Sequence, residues 1–138
     1  MQTARALENF HISGVELRLY PNLIKAFAMV KLAAARANVD CGQFDQKILA
    51  GVEKACQEIM DGKLHDEFRL DVFQGGAGTS TNMNANEVIA NRALELMGHK
   101  KGEYEHCSPH DHANCSQSTN DAYPTALHVG MALGKVEL

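Results

Sequence analysis

Residues 74–82 (QGGAGTSTN) combine glycines with three hydroxyl side chains, just before an expected helix. Glycines let backbone amides approach a ligand closely, and the free N–H groups at a helix N-terminus attract a carboxylate or phosphate. The segment is not a nucleotide-binding P-loop, because no Gly-Lys-Ser/Thr follows, and its glycine spacing is not that of a dinucleotide fingerprint. It predicts a small-anion site, with simple helix capping as the alternative.

A second segment of the same kind lies at residues 116–121 (SQSTND), again just before an expected helix. Its alternative interpretation is a helix capped by Asn120 or Asp121. Two such segments in one small chain favour a shared anion site over two separate caps. The donors are neutral, so they would orient a carboxylate and stabilise developing negative charge without a fixed cation.

Between these segments lies a stretch of possible metal ligands, residues 106–115. Its candidate ligands are Cys107, His110, His112 and Cys115. The spacing C-x₂-H-x-H-x₂-C matches no common zinc signature, and one ten-residue stretch rarely closes a tetrahedron alone. We therefore expect no metal here, and keep a small metal-binding module as an alternative.

Apolar residues at helical spacing predict the elements that must position these segments. The expected helices are Pro21–Asn38, Phe44–Met60, Thr81–Gly98 and Pro124–Leu138. Alternation of apolar and polar residues over 68–72 allows at most one or two short strands. The expected fold is mainly α, as a single domain over residues 1–138.

The third expected helix carries an unusual number of amides. Asn82 and Asn86 share one face, and Asn84, Glu87 and Asn91 share another. Asparagine is a mediocre helix former, and a solvated face would more naturally use Lys, Glu or Gln. The pattern therefore predicts buried amides that join a hydrogen-bond network.

Composition narrows the classes of partner. The 138 residues include 13 Lys and Arg against 17 Asp and Glu, a formal charge of −4, so no basic field would hold nucleic acid or an anionic membrane. No stretch approaches the roughly 20 apolar residues of a membrane span. Four unevenly spaced cysteines without a secretion signal indicate free thiols in the cytoplasm.

At the two anion-binding segments the chain resembles the aspartase/fumarase superfamily. Residues 76–87 (GAGTSTNMNANE) are similar to the first family motif and residues 116–121 to the second. Residues 2–10 (QTARALENF) and 95–104 (ELMGHKKGEY) are similar to the aspartase branch in particular. The Ser-Thr-Asn form at 118–120 also resembles that branch, since fumarases usually show Ser-Ser-Asn. The match runs over nearly the whole chain.

The resemblance implies reversible elimination of ammonia from L-aspartate to give fumarate. It implies that Thr79, Ser118 and Thr119 hold the substrate β-carboxylate and that Asn120 binds the amino group. No metal or organic cofactor is expected for this chemistry. The family works as a homotetramer whose active sites draw on three subunits, so this assembly is also an expectation.

The family's base is a serine on a loop of the form G-S-S-x-M-P-x-K-x-N-P, and these 138 residues contain no Ser-Ser pair. The resemblance therefore implies an N-terminal domain, truncated at both ends and inactive alone, with no catalytic base of its own. The alternatives are a fumarase-type hydro-lyase of the same superfamily and a non-catalytic helical module that binds a metal or a partner.

Overall fold

The computed structural model describes residues 1–136. Within that range the chain forms five α-helices and no strand: α1 Gln2–Asn9, α2 Pro21–Asp40, α3 Gln46–Met60, α4 Thr79–Leu96 and α5 Thr119–Val136. Short 3₁₀ turns lie at Leu17–Leu19 and His65–Glu67. The prediction of a mainly α fold is confirmed. Residues 68–72 contribute only a single antiparallel bridge, between Glu16 and Asp71.

The ends of the helices follow local chemistry. Pro21 opens α2, where its missing N–H costs no hydrogen bond. The Asp45 side chain caps α3 by accepting from the backbone N–H of Ile48 at 3.0 Å. Helix α4 ends at Leu96, and Gly98 then adopts the left-handed conformation typical of a helix C-terminus.

The predicted start of the last helix at Pro124 is wrong, because α5 begins at Thr119 and Pro124 lies inside it. Ser118 caps the helix: its Oγ accepts from the N–H of Asn120 at 3.1 Å, and Asp121 Oδ2 accepts from the N–H of Ser118 at 3.2 Å. This reciprocal capping box starts the helix ahead of the proline. The cap is therefore Ser118 rather than Asn120 or Asp121. The predicted end at Leu138 lies outside the described residues.

Helix α1 lies outside the four helices expected from the sequence, and a distant carboxylate caps it. Glu87, from the middle of α4, accepts from the N–H groups of Gln2 at 2.6 Å and Thr3 at 3.1 Å. Its second oxygen also accepts from the Thr3 hydroxyl at 2.7 Å. A carboxylate at a helix N-terminus satisfies free N–H groups and complements the helix dipole. Tertiary contact thus stabilises this short helix.

Helix α2 lies at the centre of the packing. It contacts α3 on one side and α5 on another, while α4 packs against α3 and α1. The largest apolar side chains of the core are almost fully buried: Phe27, Ile24, Val52, Ile59, Phe68, Leu70, Ile89 and Leu94. Each contributes on the order of 1.5–3 kcal/mol to folding. None of the helices within residues 1–136 is long and apolar enough to cross a membrane.

One carboxylate, Asp71, fixes the loop between α1 and α2. Its Oδ2 accepts from the N–H groups of Ile12 at 3.2 Å, Ser13 at 2.7 Å and Gly14 at 2.8 Å. Its Oδ1 accepts from the Ser13 hydroxyl and from the N–H of Phe73, both at 2.8 Å. Burial raises the pKa of Asp71, but these hydrogen bonds outweigh burial and hold that pKa well below its usual range.

Replacing Asp71 by Asn is expected to destabilise the fold and to flatten its acid dependence. The folded pKa lies below the unfolded value of about 3.9, so the folded state binds fewer protons and stability falls as pH drops below about 4. Urea unfolding between about pH 6 and pH 2.5 measures this loss. The control is Asp40→Asn, since exposed Asp40 makes no side-chain hydrogen bond among residues 1–136. Equal acid sensitivity in wild type and Asp71→Asn would contradict the assignment.

Candidate active site

The N-termini of α4 and α5 lie side by side. Asn82, in the first turn of α4, donates from Nδ2 to Thr119 Oγ1 at the start of α5, at 3.2 Å. A Cβ atom at Gly78 would lie 2.6 Å from Cγ of Tyr123, so the backbone at the α4 N-cap rests directly on that ring. The two segments from which the sequence predicts one shared anion site are therefore neighbours in the fold.

The glycines of the first segment allow close packing of the loop, in addition to any close approach of a ligand. A Cβ atom at Gly75 would lie 2.8 Å from Cζ of Phe10, and Gly78 has φ of +92° beneath Tyr123. Two aromatic rings thus pack against the loop, one at each glycine. A side chain at either glycine would push a ring away and shift the hydroxyls that follow.

Three of the predicted ligand side chains carry hydroxyl groups, and their hydrogen bonds differ. Ser118 Oγ accepts from the N–H of Asn120, and Thr119 Oγ1 accepts from Asn82. Neither hydroxyl donates to an acceptor among residues 1–136, so both protons can be donated to a ligand. Thr79 Oγ1 instead donates to the carbonyl of Gly76 at 2.6 Å. Thr79 must therefore rotate, or give up that bond, to donate to a ligand.

The fourth predicted residue, Asn120, is exposed and makes no side-chain hydrogen bond among residues 1–136. Its carbonyl oxygen can accept from an ammonium group, and its NH₂ can donate. Neither residues 74–82 nor residues 116–121 contain Lys or Arg. The two helix N-termini contribute partial positive charge at this surface through their free N–H groups.

A buried polar network lies behind the two segments. Asn114 Oδ1 accepts from Lys31 Nζ at 3.1 Å, from Asn82 Nδ2 at 3.0 Å and from Asn86 Nδ2 at 3.1 Å. Lys31 Nζ also donates to Gln117 Oε1 at 2.9 Å, one residue before Ser118. The prediction of buried amides in a hydrogen-bond network is confirmed. The sequence did not predict a part in this network for Lys31, Asn114 or Gln117. The only signal for it was the position of Lys31 in an otherwise apolar stripe of α2.

The network has more acceptors than donors. Among the described residues, the buried Oδ1 atoms of Asn82, Asn84 and Asn86 find no donor. A buried polar atom without a partner costs about 1–3 kcal/mol, so the donors that are present matter greatly. Lys31 is 1% exposed and supplies two of those hydrogen bonds. Burial lowers the pKa of Lys31 from 10.5 to about 7.

Replacing Lys31 by Met is expected to remove a rise in stability with pH. Because the folded pKa is the lower one, the folded state releases its proton first, so the wild type gains stability above about pH 7. The gain reaches at most about 1.4 kcal/mol per pH unit. Urea unfolding between about pH 7 and 8 measures the slope, and thiols of the unfolded state, whose ordinary pKa is about 8.5, contribute equally in the wild type and the variant.

The matched control is Lys54→Met on the exposed face of α3, which should keep the wild-type slope. An unchanged slope in the Lys31→Met chain would show that the folded protein keeps Lys31 protonated throughout this range. The comparison uses slopes rather than absolute stabilities, because the Met side chain also leaves Gln117 Oε1 without its donor.

Replacing Gly78 by Ala is expected to separate the two helix N-termini. The substitution combines a positive φ with a clash against Tyr123, so it should cost about 2–5 kcal/mol in the free energy of unfolding. Gly62 is the matched control, with φ of +89° and open space around it, and Gly62→Ala should cost only about 1–2 kcal/mol. Thermal and urea denaturation compare the two, and equal losses would contradict the close packing.

The alternative metal ligands do not converge. Within residues 1–136, no three of Cys107, His110, His112 and Cys115 bring their ligand atoms within 4.8 Å of one another. Cys107 is buried, which raises the pKa of its thiol to about 11. His112 Nδ1 instead accepts from the N–H of Ser108 at 2.8 Å, and His110 pairs with Asp111. These residues stabilise the loop through separate contacts.

The candidate site is an open surface rather than a closed pocket. A cleft of about 400 Å³ lies between α1, α4 and residues 101–104. None of Thr79, Ser118, Thr119 and Asn120 lines it. The four predicted ligands lie at the paired helix N-termini, where Thr79, Ser118 and Asn120 are exposed and Thr119 is half-buried.

The fold and these motifs define the class of protein. A lyase family model matches residues 1–137, and the chain belongs to that family. Within it, the chain is 59% identical over 131 residues to an aspartate ammonia-lyase of Helicobacter pylori. That match covers 95% of this chain and 28% of the relative.

Two solved structures share the fold. The fumarate lyase:delta crystallin of Brucella melitensis has a TM-score of 0.94 and 54% identity, over 96% of this chain and 31% of that one. A class II fumarase of Schistosoma mansoni has a TM-score of 0.85 and 36% identity, over 96% of this chain and 28% of that one. The chain thus spans less than a third of the length of these relatives.

Proposed function

We propose that this chain supplies the carboxylate- and amine-binding residues of an aspartate ammonia-lyase, which converts L-aspartate to fumarate and ammonium. The observation that carries the proposal is the pairing of the α4 and α5 N-termini through Asn82 and Thr119. It puts two hydroxyl-bearing helix starts at one surface. The 59% identity to an aspartate ammonia-lyase supports this choice of substrate over others in the family.

The chemistry explains why neutral donors suit the reaction. A base takes the proton from C3 of aspartate, and the electron pair moves into the adjacent β-carboxylate to give a doubly charged aci-carboxylate. The pair then returns to form the C2–C3 double bond as the C2–N bond breaks and ammonia leaves. Donors that strengthen as charge develops lower this barrier without holding the ground state too tightly.

Each proposed residue has one task. Ser118 and Thr119 donate their free hydroxyl protons to the β-carboxylate, and Thr79 joins them after releasing the Gly76 carbonyl. Asn120 accepts from the substrate ammonium through its side-chain oxygen. Lys31 and Asn114 support this surface from behind by fixing Gln117 and Thr119 through the buried network.

The 138 residues supply binding groups and no base. The serine loop that the resemblance implies is absent from this sequence, so we propose that these residues do not turn over aspartate alone. The complete site forms with the rest of the lyase, about 70% of the relative's length, assembled as a cytoplasmic homotetramer. No organic cofactor or metal enters the proposed reaction.

The test is a chimera in which this chain replaces the matching region of the Helicobacter pylori relative. The chimera should convert L-aspartate to fumarate, while the 138-residue chain alone should show no turnover. Ser118→Ala and Thr119→Val should each lower kcat about 10²–10³-fold, because each removes a donor to the developing charge. Asn120→Ala should chiefly raise KM for aspartate.

The control is Thr125→Val in the same chimera, since exposed Thr125 donates only to the carbonyl of Asp121 on its own helix. It should leave activity unchanged. Activity toward L-malate tests the alternative function, a fumarase-type hydro-lyase, which the 36% identity to a class II fumarase supports. Turnover of malate but not aspartate would assign that reaction instead, and turnover by the chain alone would contradict the incomplete site.

A further inference from the structure

A second cluster of chemically active side chains lies at the far end of α4. His99 follows the helix in a tight cap, where its N–H donates to the carbonyl of Leu94 at 2.9 Å and the N–H of Gly98 donates to that of Glu95 at 3.1 Å. This double hydrogen bond is the Schellman motif. The backbone of His99 is therefore fixed relative to the helix.

Two further side chains meet His99. Glu103 Oε2 lies 3.5 Å from His99 Nδ1, and the rings of His99 and His106 stack with centroids 3.8 Å apart. One ligand atom from each of these residues lies within 4.8 Å of the other two. Within residues 1–136, no other group of three His, Cys, Asp or Glu residues meets that distance.

The loop that carries the cluster is held in place. The N–H of Gly102 donates to Asn91 Oδ1 at 3.0 Å, and Asn91 Nδ2 donates to the Tyr104 hydroxyl at 3.3 Å. Glu103 Oε2 accepts from the N–H of Lys100 at 3.0 Å, and the N–H of His106 donates to the carbonyl of Glu103 at 3.0 Å. The three side chains thus start from a loop that is already ordered.

We propose that His99, Glu103 and His106 bind one divalent transition-metal ion, with Zn²⁺ as the best fit. Two imidazoles and one carboxylate form a ligand set that Zn²⁺ accepts together with a water in the fourth position. Tetrahedral Zn²⁺ needs ligand atoms about 3.3 Å apart, close to the observed 3.5 Å between His99 and Glu103. Rotation of the His106 ring out of its stack brings in the third ligand.

The ion would act on the structure rather than on the reaction. It would tie the C-terminus of α4 to residues 100–106, which lead directly into the loop that carries Asn114 and Ser118. None of the three ligands belongs to the proposed substrate site. The proposal therefore stands or falls independently of the lyase activity.

The test is binding of Zn²⁺ and Co²⁺ to the chelator-treated chain, kept in a metal-free buffer with a phosphine reductant. Calorimetry should give one Zn²⁺ per chain, and bound Co²⁺ should show d–d bands without a thiolate charge-transfer band. His99→Gln, Glu103→Gln and His106→Gln should each weaken binding at least about tenfold. Zn²⁺ should raise the Tm of the wild type reversibly, and at the same Zn²⁺ concentration it should raise the Tm of each of these three variants by less.

The matched control is His110→Gln, because His110 is exposed and pairs with Asp111 at 3.0 Å without a second histidine. That variant should bind Zn²⁺ as the wild type does. Circular dichroism of each metal-free variant checks that the helices are retained. Absence of Zn²⁺ binding, a thiolate band in the Co²⁺ spectrum, or wild-type affinity in any one of the three ligand variants would overturn the proposal.

Discussion

The buried ammonium of Lys31 is the interaction on which the rest of the arrangement depends. It reaches from the central helix α2 to Asn114 and Gln117, in the loop before α5, and Asn114 in turn accepts from two amides of α4. Burying this group costs free energy, which is why its pKa falls to about 7. The same low-polarity surroundings strengthen each hydrogen bond it makes, so three elements are fixed together.

This network explains the unusual composition of α4. Asparagine is a poor choice for helix stability, yet Asn82, Asn84 and Asn86 are each at most 1% exposed. Their amides connect α4 to the loop, to α1 and to the backbone of residue 67. Helix α4 therefore joins the end of the chain that carries the proposed substrate site to the rest of the fold, at the expense of its own helix propensity. Glu87 extends this role by capping α1.

The surface that the network supports is chemically specific but geometrically open. Its donors are hydroxyls and backbone N–H groups at two helix starts, which suit a carboxylate whose charge grows during a reaction. A cleft of about 400 Å³ lies elsewhere and is lined by Glu87, Arg92 and Tyr104 among others, and not by these donors. The proposed binding surface is open, and the chain spans less than a third of the length of its lyase relatives.

The sequence by itself determined the helices with strong apolar periodicity. Helices α2 and α3 and the mainly α fold follow from it, because burial of one stripe is a local pattern. It also determined which residue types stand at the two helix starts, and the resemblance indicated a reaction for them. Apolar periodicity did not predict α1 or the start of α5. A carboxylate 84 or more residues away stabilises the start of α1, and a capping box decides the start of α5.

Only the tertiary structure decided which residues meet. Three features depend on how separate segments pack or turn. They are the pairing of α4 with α5, the position of Lys31 behind Ser118, and the convergence of His99, Glu103 and His106. No spacing rule predicts such contacts, since they depend on loop conformation and on side chains 3 to 86 residues apart. The physical reason is that polar contacts are short-ranged and directional, whereas the hydrophobic pattern that the sequence displays is neither.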